Sequence, residues 1–433
     1  MANTACQVSR STSVRMFLEL MEQRKTRRFG CGMELPAGPL QYKSSLTPLP
    51  LTAEEERHLI FAGVGKTGPH TADMQFSARP HSEDGQGMAL MSFQGRTVPS
   101  ACAAQTTRLF FTNDEGTYFV EESAAPDDPA MTKLTKLSAE RLDIPRQLPF
   151  MLSFNQWYAN RPGTSYFMPV TNIAGVYLNL LLVLLSDEYG YFIVDTDNGN
   201  EGCGLDRFRK SRGGHLYDDP VKRRTMTLRD LDSAISDTAV QEQGIVAEHI
   251  FLMEQAMGLG GGIHSVGSGR HLLGIEPDSF RGLGFQFHMP ATGPRRPNPI
   301  GLPGLWEAPC LPLVGSMEDA VLKLIDSKFG PFGLYTTPDP QPWRSPAIKP
   351  QIPRHSEQGI AATIALCEYV VQTYGRFPAH VDAFKSIVAC QAHHLDLSFY
   401  ETYYPPSAVS QSQHEHLVAW HEGEQSLDHQ QRS

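Results

Sequence analysis

Arg24-Lys25-Thr26-Arg27-Arg28-Phe29 places a dense run of cations around one hydroxyl. Cations so spaced can neutralise a phosphate dianion, with Thr26 donating through its hydroxyl. A solvated basic helix end, favourably meeting the helix dipole, accounts for the same residues. Further along, Arg96-Thr97-Val98 leads into Pro99-Ser100-Ala101-Cys102-Ala103-Ala104-Gln105. Small residues there let a flat ring approach the backbone, and Ser100 and Gln105 can donate to carbonyl or hydroxyl oxygens; a turn entering a strand is the plainer alternative. In Gly258-Leu259-Gly260-Gly261-Gly262 the backbone amides can face a ligand directly. The same run also serves as a helix C-cap. It lacks the Gly-x-Gly-x-x-Gly spacing of a dinucleotide-binding turn, and the chain has neither a P-loop nor a His-Glu-x-x-His motif.

The tail offers other chemistry. His393, His394, Asp396, His414 and His421 include imidazole and carboxylate groups of the kind that ligate metals. On a helix His414 and His421 share a face, whereas His416 points away. An aromatic-rich cap with surface histidines is the plainer reading, because no tight ligand pair of a known zinc type is present; no metal ligands are assigned.

Elements that must position these groups can be read from local pattern. Ser13 can cap a helix over 14–24 with Met16, Phe17, Leu20 and Met21 at helical spacing. Thr52 with Glu55 forms a capping box opening a second helix. Residues 66–95 read as a long polar loop. Strand-like runs at 107–112 and 117–121 flank Asn113-Asp114-Glu115-Gly116, a hairpin signal. The apolar window 173–185 contains Asn179 and is shorter than the ~20 residues of a bilayer span, so it reads as a buried helix. A strand over 191–194, a helix starting at Thr227, another over 241–258, a strand over 284–287, and helices near 316–327 and 358–374 follow.

The 433 residues, 40% of them hydrophobic, suffice for two or three domains with substantial cores. A net charge of −10 argues against a general nucleic-acid binder, which needs a basic surface. Seven scattered cysteines without Cys-x-x-Cys spacing fit reduced thiols in a cytoplasmic protein. The first residues carry no apolar core of signal-peptide length, so a soluble protein is expected.

Taken in order, Arg24-Lys25-Thr26, Pro99-Ser100-Ala101, Gly258-Leu259-Gly260, Leu273-Gly274-Ile275-Glu276-Pro277 with the strand after it, and Arg295-Arg296 resemble the landmarks of the nitroreductase-like flavoproteins. The Pro-Ser-Ala form is similar to that of the azoline-oxidase-like branch. Lys25 and Thr26 stand where the family usually has Arg and Ser, and Ala103 where many members carry a flavin-contacting Asn. The resemblance implies an α+β fold, a nitroreductase-like mixed sheet flanked by helices over 14–298. A mainly helical, His- and Tyr-rich C-terminal domain over 299–421 and a disordered tail over 422–433 follow. Segments 66–95 and 122–170 are expected as insertions or divergent regions.

The resemblance further implies FMN held by Arg24, Lys25, Thr26, Arg28, Pro99, Ser100, Ala101, Gln105, Gly258, Leu259, Gly260, Gly261, Arg295 and Arg296. It implies an oxidoreductase passing hydride or electrons from NAD(P)H or a reduced substrate to an acceptor, in a homodimer; from the charge and the short apolar window, no nucleic-acid or membrane partner is expected. No residue stands out as catalytic. A non-catalytic flavin-fold scaffold and a metal-dependent enzyme using the tail histidines are the alternatives.

Overall fold

The computed structural model describes residues 2–73, 89–291, 296–380 and 388–421. Arg295 and the tail over 422–433 therefore lie outside the described residues, as does much of the expected loop over 66–95. Helix α1 (Ala2–Gln23) starts earlier than the Ser13 cap implied, and is followed by the small hairpin β1 (Glu34–Leu35) and β2 (Tyr42–Lys43). Helix α2 (Ala53–Val64) opens on the expected capping box: the Thr52 side chain accepts from Glu55 N, and the Glu55 carboxylate accepts from Thr52 N. Strands β3 (Lys66–Pro69) and β4 (Gln94–Arg96) pair across the expected loop.

Strands β5 (Thr107–Asn113) and β6 (Gly116–Ser123) form the expected hairpin, with the Asn113 side chain accepting from the Glu115 and Gly116 amides. Next come β7 (Thr132–Ser138), β8 (Thr164–Thr171), the buried α3 (Ala174–Leu184), and the parallel pair β9 (Phe192–Val194) and β10 (Thr225–Thr227). Helix α4 (Leu228–Met257) is capped by Thr227 and closed by Gly258 in the left-handed region. It is one continuous helix where sequence pattern suggested two, because Gly244 and its polar neighbours do not interrupt the backbone ladder.

After α4 the chain forms β11 (Gly260–Ser265), α5 (Gly269–Leu273), and the antiparallel trio β12 (Gln286–His288), β13 (Asn298–Leu302) and β14 (Trp306–Glu307). Helices α6 (Met317–Phe329) and α7 (Glu357–Tyr374), strand β15 (Val388–His393), and helices α8 (Leu397–Tyr403) and α9 (Gln411–Trp420) complete it.

The fold is α+β. Its main sheet runs β11-β15-β8-β5-β6-β7 and is antiparallel throughout; parallel pairing of named strands is confined to β9 and β10. The C-terminal third is mainly helical, as expected. It is not set apart from the rest, since β15 lies inside the sheet between β11 and β8.

One face of the sheet packs Leu109, Phe111, Phe167 and Cys390 on Leu59 and Ile60 of α2 and Val246, Ile250 and Phe251 of α4. The other face packs Phe110, Met168 and Val170 under Phe285 and Leu302. Every residue of β8 is buried, which is what a strand covered on both faces requires. Among the described residues no helix is long and apolar enough to cross a membrane.

Helix α3 packs against α6 and α7 in a second core that includes Leu178, Leu181, Leu182, Leu366 and Cys367. Burying each such large apolar side chain contributes roughly 1.5–3 kcal/mol. Asn179 is fully buried there; its amide donates to Ala89 O at 2.8 Å, and its oxygen accepts from Lys328 Nζ at 2.5 Å. Burial pulls the Lys328 ammonium down to about 7. An amine with a folded-state value below its unfolded one binds fewer protons when folded, so stability rises as pH climbs from 7 toward the ordinary lysine range. Lys328→Met should abolish that rise, a difference on the order of a few kcal/mol between pH 7 and 10. Paired urea unfolding curves of both proteins across this range check it; parallel pH profiles would contradict the buried amine.

Candidate functional site

Beyond α1, residues 24–31 run as a strap between β11 and the segment after β15. Gly261 N donates to Arg27 O at 2.7 Å on one side. On the other, Cys31 N donates to His394 O at 3.0 Å, and Gly30 bridges Leu395. The basic cluster and the glycine-rich run, far apart in sequence, are therefore backbone neighbours.

The side chains of the strap divide into two groups. Arg24 makes a two-pronged contact with Glu248 at 2.9 Å and lies over the Phe251 ring, so it faces α4. Arg27 is buried, donating to Ala408 O at 2.6 Å and Gln255 Oε1 at 2.8 Å; burial lowers its guanidinium below the ordinary arginine value. Lys25, Thr26 and Arg28, together with part of Arg27, line a cleft of about 410 Å³, walled by Phe29, Trp157, Phe399 and Tyr400. Arg28 also lies over the Tyr158 ring at 5.6 Å. Among the described residues no carboxylate pairs with Lys25 or Arg28 within salt-bridge distance, which leaves their charge available to an anion.

The Pro99–Gln105 turn lies elsewhere on the molecule. Ser100 Oγ donates to Glu242 Oε2 at 2.9 Å and accepts from Gln105 N at 2.7 Å. Gln105 Oε1 accepts from Arg96 Nε, and its amide donates to Gln94 O. Pro99 and Ala101 are exposed on the rim of this turn. Ser100 anchors at Glu242 and the strap at Gln255, both on α4; thirteen residues of helix separate these anchors by about 20 Å. Within one chain the two landmarks do not line a common cleft.

Gly258 is the C-cap of α4, with φ of +88°, and a Cβ there would sit 2.1 Å from Ser412 O. Leu259 is fully buried. A Cβ on Gly260 would meet Leu395 at 2.1 Å, and one on Gly261 would meet Gln391 O at 1.7 Å. These glycines let chain pack against chain, so the space they free is filled by protein. Arg296 lines a separate cavity of about 720 Å³ with Asp195, Asp197, Arg229 and Tyr374, away from the expected phosphate cluster.

The tail histidines are arranged differently from their sequence reading. His414 is exposed, Asp396 caps α8 by accepting from Ser398 N, and the His393 ring is fixed by Gln391. The groups that do converge are His394, His416, His421 and Glu55, all buried, with their ligand atoms within 4.8 Å of one another. Helical spacing put His416 on the wrong side because α9 ends at Trp420; His421 leaves the helix with φ −127° and ψ 56°. Glu55 was legible only as a capping-box residue. Its burial pushes its carboxyl up, but the close His394 and His416 imidazoles and the Thr52 amide prevail and hold it well below the ordinary glutamate value.

Replacing Gly261 by Ala would thrust a methyl into the Gln391 carbonyl at a φ of +148°. The expected loss is more than about 3 kcal/mol in urea unfolding. A loss below about 1 kcal/mol would show that the strap and β15 do not close on this strand as described.

No model of a known protein family matches the chain, and no curated protein matches it. Among solved structures, one similar to it is a Ralstonia eutropha protein provisionally assigned as a nitroreductase and determined at 2.00 Å. The two share 14% sequence identity with a TM-score of 0.25, over 57% of this chain and 67% of that one. A likeness that slight carries no argument about fold or chemistry.

Proposed function

We propose that this chain is an FMN-dependent oxidoreductase of nitroreductase-like character, binding the flavin phosphate in the Lys25–Arg28 cleft. The observation that carries the reading is a cleft with aromatic walls in which Lys25 and Arg28 have no carboxylate partner among the described residues. Lys25 and Arg28 would grip the phosphate, with Thr26 adding a hydroxyl donor. The Trp157, Phe399 and Tyr400 side chains give the cleft an apolar, aromatic lining beside which a planar ring could lie. A volume of about 410 Å³ lies within the usual ~300–1,000 Å³ of small-molecule sites.

Bound there, FMN would supply the hydride and electron chemistry, with NAD(P)H or a reduced substrate as donor. The chain's own contribution is to hold the phosphate, flank the ring and keep a positive field beside it. Arg24 is spent on Glu248, so it supports the strap and does not reach the phosphate. Pro99, Ser100, Ala101 and Gln105 would reach a flavin only from a second subunit, which fits a homodimer. Val14, Met16, Phe17, Leu18 and Met21 on α1 are all more than 40% exposed and offer an apolar face for that association.

Purified protein should show flavin absorbance bleached by NADH or NADPH, and mass spectrometry of the released cofactor should identify FMN. Lys25→Ala and Arg28→Ala should each weaken FMN binding about tenfold or more, in line with loss of a charge-assisted contact, whereas Arg24→Ala should weaken it less. A colourless protein that takes up no FMN on titration overturns the proposal.

A further inference from the structure

We infer that Glu55, His394, His416 and His421 form a binding site for one divalent transition-metal ion, zinc in the first instance, which clasps the C-terminal helix to the sheet. Glu55 Oε1 lies 3.2 Å from His394 Nε2, 2.8 Å from His416 Nε2 and 3.3 Å from His421 Nε2, and the His394 and His421 Nε2 atoms are 3.0 Å apart. The four side chains are between 0% and 8% exposed.

Donor and acceptor chemistry decides what belongs at the centre. His394 Nδ1 lies 2.9 Å from Leu49 O, and His416 Nδ1 lies 2.6 Å from Met257 O. A carbonyl only accepts, so both Nδ1 atoms carry hydrogen, and a neutral ring then presents an Nε2 lone pair. Those lone pairs converge on a carboxylate oxygen, which is also an acceptor. His416 Nε2, despite its proximity to Glu55, has no aligned hydrogen-bond partner. With His394 and His416 neutral, His421 Nε2 can supply at most one hydrogen among these acceptor atoms, and a cluster so poor in donors suits a cation.

The dimensions suit one. Zinc–nitrogen and zinc–oxygen bonds near 2.0–2.2 Å give tetrahedron edges of about 3.3–3.6 Å, so an ion enters if the four groups move apart by a few tenths of an ångström. Three imidazoles and a carboxylate are zinc ligands, and the backbone carbonyls of Leu49 and Met257 supply the outer contacts that orient metal-bound histidines. The second Glu55 oxygen is held by Thr52 N at 2.6 Å. Four protein ligands in a buried site leave no open position, which makes the role structural.

The ligands come from α2, the turn after β15, α9 and the residue ending α9, so the ion would fasten the C-terminal helix to α2 and the turn after β15. This inference is independent of the flavin reading. Full-length protein freed of any histidine tag should carry about one zinc per chain by elemental analysis. After demetallation, added Co2+ should give the intense visible bands of a tetrahedral site. His416→Gln and His421→Gln should lose at least tenfold in Zn2+ affinity, while His414→Gln, exposed on the same helix, should keep it. Because the wild-type cobalt spectrum needs no variant, misfolding of a mutant cannot stand in for an answer. Absence of that spectrum, or equal loss in His414→Gln, overturns the site.

Discussion

Insertion of β15 between β11 and β8 is the constraint on which the rest of the structure depends. It pairs His393 with both Gly260 and Thr164, closing the sheet across more than two hundred residues of sequence. Gln391 in its middle fixes the neighbouring backbone, accepting from Asn160 N at 2.6 Å and donating to Tyr158 O at 3.2 Å. The bare Cα of Gly261 is the counterpart of this pairing, since the Gln391 carbonyl occupies the place of a side chain. Such non-local pairing must overcome a large loop-closure entropy before its contacts form.

Both candidate sites are products of that seam. On one side of it the strap brings Lys25 and Arg28 toward the aromatic residues that follow β15. Phe29 stacks on Phe399 with centroids 4.1 Å apart, and Phe29 N donates to the Tyr400 hydroxyl at 3.0 Å. On the other side, the turn after β15 presents His394 to Glu55 at the start of α2. The same backbone therefore positions a cationic aromatic cleft and a buried imidazole–carboxylate cluster.

What was legible in the sequence was local. The Thr52–Glu55 capping box, the Asn113–Gly116 turn, the Thr227 cap and the buried apolar helix α3 each declare themselves within a few residues. Strand β8 did not, because a strand buried on both faces loses the alternating pattern, and Pro169 argues against a central strand. Strand β15 is a short run of small and polar residues whose burial comes entirely from its neighbours. The basic cluster was visible, but not which of its cations would pair: Glu248, on a distant helix, takes Arg24 out of the cleft. The histidine cluster needed Glu55, more than three hundred residues away, and no spacing rule links the two.

Both sites require β15 to be an integral strand rather than part of an appended domain, and native-state hydrogen exchange tests this most directly. If the seam is as described, amides of β15 and β11 exchange together, as slowly as those of β8, in the last part of the molecule to open. Fast exchange of β15 alongside α8 and α9, with β8 still protected, would contradict it, and both sites would lose their common foundation.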